Sequence, residues 1–95
     1  MNKLNEFKEA HFGELDQLMP IVERVHGKHH PEFFDVSKVY GTIREKLNGG
    51  NEDLDGEFAQ LREITDNYAI PGDVCETYEK IYKVLEQFDG LYEGK

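Results

Sequence analysis

In four segments of this chain, apolar side chains recur every three or four residues. Short breaks rich in glycine and proline separate the four segments. In the first run, four residues follow one another at intervals of seven: Leu4, His11, Leu18 and Val25. Such stripes are typical of amphipathic helices that each bury one face against their neighbours. Short breaks join antiparallel neighbours in helical bundles. The pattern therefore predicts an all-α fold, an up-down antiparallel four-helix bundle.

The breaks also predict where the helices begin and end. Gly27 stands where a C-terminal cap of the first helix is expected, and Pro31 suits the first turn of the second helix. Pro20 lies inside the first helix, so we expect a kink or a restart there. Asp73 followed by Glu76 forms a capping box, which predicts that the fourth helix opens at Asp73.

The length and composition of the chain set its class. The chain has 95 residues, of which 38% are hydrophobic. This length and composition predict a single helical-bundle domain over residues 1–95. No apolar run approaches the ~20 residues that cross a bilayer, so we expect no membrane association. The single cysteine excludes an internal disulfide, which fits a cytoplasmic location.

Negative charge is concentrated in the second half of the chain. The formal net charge is −9, and residues 51–95 hold twelve acidic and four basic side chains, which contribute −8 of it. Phosphate recognition needs basic contacts, so this balance argues against a nucleic-acid partner. The acidic helix faces are interpreted as solvated surface, with a docking face for a basic partner as the alternative.

Three of the four histidines lie in residues 26–30, at the predicted turn between the first two helices. We call residues 26–32 the histidine corner. Imidazole binds transition metals and titrates near neutral pH, so three interpretations are open: a structural or capping role, a metal contact and a pH-sensitive contact. The candidate metal ligands are His26 and His30 at the corner, and His11 on the first apolar stripe.

Cys75 is expected near the start of the fourth helix. We interpret it as a small, partly buried packing residue, and the alternative is a redox-sensitive thiol. The chain contains no glycine-rich phosphate loop, no Cys-x-x-Cys pair and no serine nucleophile motif. We therefore expect a protein that is not an enzyme.

Two separated segments of the chain carry a family resemblance. The first is Val22-Glu23-Arg24-Val25-His26-Gly27, followed by His30-Pro31-Glu32. The second is a proline-containing turn and a Cys-x-Thr-aromatic helix start, with Thr65, Tyr68, Pro71, Cys75, Thr77, Tyr78 and Tyr82. Together they resemble the hemerythrin-like di-iron proteins that repair iron–sulfur clusters. The resemblance implies a hemerythrin-like bundle, iron as a cofactor, repair of clusters damaged by nitric oxide or oxidants, and a metal-ligand role for His26.

The residues available for an iron site are few. His11 and His26 are fifteen positions apart, about 22 Å along a straight helix, so they cannot bind one metal together. The third and fourth helices contain no histidine. Where the resembled family has a His-x-x-x-Glu pair, this chain has Lys46-Leu47-Asn48-Gly49-Gly50. We therefore predict that one chain does not hold a complete di-iron site.

The expected function is iron or cluster handling in the response to nitrosative or oxidative stress, with a protein partner or as a homodimer. The alternative is a metal-free interaction or dimerisation module with an acidic docking face. Two apolar pairs on the third and fourth helices discriminate between these functions, because exposure of such side chains would create a docking patch. These pairs are Phe58/Ile64 and Phe88/Tyr92.

Overall fold

The computed structural model describes residues 3–94 of the chain. It contains four helices, α1 (Lys3–His26), α2 (Glu32–Asn48), α3 (Asp55–Thr65) and α4 (Glu76–Tyr92). No strand occurs between residues 3 and 94. The predicted all-α architecture is confirmed.

Side-chain contacts give the direction of the first two helices. Near the start of α1, Lys8 Nζ donates to Asn48 Oδ1 at 2.7 Å, at the end of α2. Near the end of α1, Glu23 accepts a hydrogen bond of 2.7 Å from the Ser37 hydroxyl, close to the start of α2. The two helices are therefore antiparallel, as predicted.

The remaining helices continue the up-down order. Lys46 on the last turn of α2 bridges to Glu57 on the first turn of α3 at 2.9 Å. Phe7 near the start of α1 stacks on Phe88 near the end of α4, with ring centroids 4.7 Å apart. α4 thus closes the bundle against α1, and the predicted four-helix bundle is confirmed.

The core of the bundle does not follow the seven-residue repeat of α1. Leu4 is buried, but His11 and Leu18 are half-buried and Val25 is 60% exposed. An ideal helix drifts by about 20° per heptad, so three heptads rotate Val25 by about 60° away from the core. The buried face of α1 instead carries Leu4, Phe12, Leu15, Met19 and Val22.

The structure excludes a restart of α1 at Pro20 and corrects the predicted start of α4. α1 runs without interruption through Pro20, so no restart occurs there. α4 begins at Glu76 with Cys75 as its N-cap, and no side chain caps it, so the predicted capping box at Asp73 is wrong. The Asp73 carboxylate is engaged elsewhere, because it pairs with His30 Nε2 at 2.9 Å.

A left-handed turn follows α3 and aims the chain toward α4. Asp66, Asn67 and Tyr68 have φ values of 54°, 60° and 63°. This region is unfavourable for residues with a Cβ, and it is least favourable for a bulky residue such as Tyr68. Tyr68 is held there because its backbone N–H donates to Thr65 Oγ1 at 2.7 Å and its hydroxyl donates to the Asp89 carboxylate at 2.8 Å. The turn thereby fixes the approach to α4.

Candidate functional site

One end of the bundle brings the histidine corner close to the start of α4. At this corner end, α1 passes into α2 and α3 passes into α4. His26 closes α1, Cys75 precedes α4, and His26 Nε2 lies 3.2 Å from Cys75 Sγ although the residues are 49 positions apart. Cys75 is a free, exposed thiol, so the predicted packing role is wrong. We call these two side chains the His26–Cys75 pair.

The turn after α1 positions His26. The His26 carbonyl accepts the backbone N–H groups of His29 at 3.1 Å and of His30 at 2.8 Å, which closes the turn locally. The imidazole of His26 stands edge-on to the Tyr78 ring, with centroids 5.5 Å apart and an interplanar angle of 86°. The ring is therefore packed on one side and directed toward the thiol on the other.

His30 ties the histidine corner to the segment before α4. Its Nδ1 lies 3.0 Å from a Glu32 carboxylate oxygen, and its Nε2 lies 2.9 Å from an Asp73 carboxylate oxygen. Desolvation lowers the pKa of His30, but the hydrogen bonds and charges of the two carboxylates outweigh it and raise this pKa above 6.5. In turn, the hydrogen bond from His30 lowers the pKa of Asp73. When the imidazole is protonated, both ring nitrogens donate to these carboxylates, and His30 then links the turn after α1 to the segment before α4 through two charged hydrogen bonds.

Aromatic side chains form the floor beneath these histidines. Tyr78 and Tyr82 are buried, and their hydroxyl oxygens lie 2.9 Å apart. Burial raises the pKa of both phenols, so they stay neutral. Phe33 packs against Tyr78 with ring centroids 5.1 Å apart. The His26–Cys75 pair thus lies between solvent and the buried rings of Tyr78 and Tyr82.

The structure separates the predicted site residues into two groups. His26 and His30 lie together, with ring centroids 6.5 Å apart. His11 lies elsewhere, half-buried on α1 with its ring 4.3 Å from Phe7, beside a groove of about 660 Å³ between α1 and α4. His29 is exposed beside the corner. His11 is therefore not brought to the corner.

The His26–Cys75 pair is suited to hold part of a metal coordination sphere. A tetrahedral ion with metal–sulfur and metal–nitrogen bonds of about 2.3 and 2.0–2.1 Å separates the two ligand atoms by about 3.6 Å. The observed 3.2 Å is within a small side-chain adjustment of that span. Across residues 3–94, no group of three or more His, Cys, Asp or Glu side chains is placed to hold a metal ion. The pair therefore offers two ligands from one chain.

Exposed apolar side chains gather at the same end of the bundle. In the described part of the chain, the large apolar residues that stay exposed are Ile21, Val25, Phe34 and Ile70. The first two lie in the last turns of α1, Phe34 lies in the first turn of α2, and Ile70 lies between α3 and α4. The exposed large apolar side chains of the described residues therefore lie at the corner end of the bundle.

The two apolar pairs on the third and fourth helices, which would form a docking patch if exposed, are packed into the bundle. Phe58 and Phe88 are fully buried in the core, and Ile64 and Tyr92 pack against it. The Tyr92 hydroxyl lies 2.8 Å from an Asp55 carboxylate oxygen and accepts the backbone N–H of Leu54 at 2.9 Å. These side chains therefore stabilise the bundle rather than forming an exposed apolar surface.

We compared the chain with protein-family models, curated proteins and solved structures, and none of the three comparisons gave a match. The resemblance to hemerythrin-like proteins therefore stays a prediction. Between residues 3 and 94, no helix combines the length and the apolar character that a membrane crossing requires.

The pairing of His26 with Cys75 was missed by sequence reasoning. A signal was available, because the end of the first helix and the start of the fourth must lie at one end of an up-down bundle. The two segments of the resemblance therefore had to converge. Interpreting Cys75 as a packing residue concealed this consequence.

Proposed function

We propose that this protein handles iron or iron–sulfur clusters through the His26–Cys75 pair and does so without catalysing a reaction. The observation that carries the proposal is the 3.2 Å approach of an imidazole nitrogen to an exposed thiol. The two residues come from the two segments that resemble hemerythrin-like cluster-repair proteins. That resemblance assigns the activity to nitrosative or oxidative stress, and a free thiol fits a reducing compartment such as the cytoplasm.

The chemistry of the pair favours temporary binding. Thiolate and imidazole are both ligands of iron, and iron–sulfur clusters are held mainly by thiolates. Two ligands from one chain leave the remaining positions open to a donor, an acceptor or a second protein. An ion held in this way can be passed on by ligand exchange. Iron in this proposal is cargo.

Binding of the ion displaces a proton from the pair. In the metal-free protein the thiol and the imidazole share one hydrogen bond. The metal takes the place of the thiol proton, because the thiolate and the neutral imidazole are the forms that bind metal. The net charge of −9 raises the local concentration of cations around the protein.

The test is an anaerobic Fe²⁺ titration of the reduced protein, read by equilibrium dialysis and metal analysis. We expect Cys75→Ser and His26→Gln each to lower the affinity by about tenfold or more, since each removes one of two ligands. His29→Gln and His11→Gln are matched controls, and neither should change the affinity. Equal binding by Cys75→Ser, or no binding by the natural chain, would contradict the proposal.

A second candidate function is a metal-free dimerisation module. The exposed apolar side chains of the corner end favour it, because a dimer would cover them. This candidate predicts a concentration-dependent dimer in the presence of chelator, measured by sedimentation equilibrium. Val25→Asp should then dissociate the dimer, whereas a monomer at all concentrations in chelator would exclude this candidate.

A further inference from the structure

We infer that two copies of this chain share one metal ion, and that each copy contributes His26 and Cys75 to a tetrahedral site with two imidazoles and two thiolates. This inference rests on the proposed function, because it requires the His26–Cys75 pair to bind metal. It goes further by specifying the partner, the stoichiometry and the complete ligand set.

Within residues 3–94, one chain offers too few ligands to complete a tetrahedral metal site. A tetrahedral metal site has four ligands, and combinations of histidine and cysteine are common among such sites. Residues 3–94 of one chain provide no group of three or more suitable side chains. The His26–Cys75 pair supplies two, so a second identical pair completes the four.

The His26–Cys75 pair lies at the corner end of the bundle. Cys75 is exposed, and it lies before the first turn of α4 at the extreme corner end of the bundle. Ligands at the end of a rigid bundle can approach the same ligands of another copy without a change of fold. A twofold axis through the ion would make the contact isologous, which is the commonest symmetry of homodimers.

Large apolar side chains are exposed at the same end of the bundle as the pair. Val25 precedes His26 directly and is 60% exposed, and Ile21 lies one helical turn earlier with 43% exposure. Phe34, on the first turn of α2, is 49% exposed. A second corner end would remove these side chains from water at the place where the metal brings the two chains together.

Exposed charges of opposite sign flank His26 and Cys75 along the chain. Arg24 and Lys28 are exposed on the α1 side of the pair, whereas Asp73 and Glu76 are exposed on the α4 side. A twofold axis near His26 would set the basic side of one copy against the acidic side of the other. This local attraction opposes the repulsion between two chains that each carry a net charge of −9.

The experiment is an anaerobic titration of the reduced, full chain with Co²⁺, followed by absorbance and by light scattering after size exclusion. We expect saturation at about half an ion per chain, a tetrahedral cobalt spectrum with thiolate charge-transfer bands, and a mass that doubles from 11.0 kDa. Removal of cobalt with chelator should restore the monomer.

Two variants and a control sharpen this experiment. Cys75→Ser, a change at an exposed position, should abolish both the charge-transfer bands and the dimer. Val25→Asp should weaken the dimer, whereas Gln17→Asp, the same charge change at another exposed position of α1, should leave it intact. Circular dichroism verifies that each variant remains helical.

The possible failures are distinguishable. One cobalt ion per monomer, lost in Cys75→Ser, would overturn the shared site while leaving the proposed function in place. No cobalt or iron binding at any ratio would overturn both. A dimer that persists in chelator would show that metal does not bridge the two chains, and it would overturn the inference in favour of the metal-free dimerisation module.

Discussion

His30 is the residue that holds the two halves of the site together. It lies between Glu32 at the start of α2 and Asp73 before α4, at 3.0 and 2.9 Å. It thereby fixes the segment that carries Cys75 relative to the turn that carries His26. A metal-ligand role for His30 stays a prediction, and both of its ring nitrogens lie within hydrogen-bond distance of carboxylates.

The raised pKa of His30 predicts a pH-dependent contribution to stability. A group whose pKa is higher in the folded state stabilises the fold fully below its unfolded pKa, near 6.5, and this contribution disappears as pH rises through the folded pKa. His30→Gln should therefore lower the free energy of unfolding more at pH 5.5 than at pH 9. Urea denaturation at the two values measures the difference, and an equal loss at both would contradict a protonated His30 between the carboxylates.

Gly27 is required by the close packing of the histidine corner. A Cβ at this position would collide with the backbone oxygen of Glu23 and with the ring of Phe34. Gly27→Ala should therefore lower the free energy of unfolding by about 1–3 kcal/mol, the usual effect of overpacking a core. Gly13→Ala is the control, because nothing lies near a Cβ at Gly13, and it should stabilise the helix by about 0.5–1 kcal/mol. Thermal unfolding measures both, and equal effects of the two changes would contradict the packing.

At the scale of elements, Asp89 connects α3, α4 and the turn between them. Its buried carboxylate accepts two hydrogen bonds from Arg62, at 2.8 and 2.6 Å, and one from the Tyr68 hydroxyl at 2.8 Å. Burial and this hydrogen bond raise the pKa of Tyr68, which stays a neutral donor. The unfavourable backbone of Tyr68 is thus retained because its side chain is anchored to α4.

Removal of the Asp89 carboxylate should loosen this connection. Asp89→Ala is expected to lower the free energy of unfolding by roughly 2 kcal/mol, because it removes the hydrogen bonds to a charged group. The loss is no larger because water can still hydrate the Arg62 guanidinium. Glu93→Ala, which removes the exposed second partner of Arg62, should cost about 0.5 kcal/mol or less. Chemical denaturation tests the contrast, and similar losses for both variants would contradict a central role for Asp89.

The elements themselves were largely predictable from the sequence. Apolar spacing indicated four helices, and Gly27 marked the end of α1 correctly. The start of α4 was not predictable, because the Asp73 carboxylate pairs with His30, a residue 43 positions away. The left-handed backbone conformation of Tyr68 was also not predictable, because the hydrogen bond to Asp89, 21 positions away, offsets its conformational strain. Local rules fail where a distant partner determines the conformation.

At the scale of the whole molecule, the topology creates the candidate site. An up-down bundle necessarily places the end of α1 beside the start of α4, and it leaves His11 about half a bundle away from His26. Sequence identified His26, but it could not give the 3.2 Å contact with Cys75, because side-chain positions depend on the packing of the turns. The same packing leaves apolar side chains exposed at the corner end.

The proposed metal ligands, His26 and Cys75, can be identified by X-ray absorption spectroscopy at the iron edge of the Fe²⁺-loaded protein. We predict a sulfur shell at about 2.3 Å together with the multiple scattering of imidazole, and loss of that sulfur shell in Cys75→Ser. An iron environment of oxygen and nitrogen alone in the natural chain, unchanged in Cys75→Ser, would show that Cys75 is not a ligand.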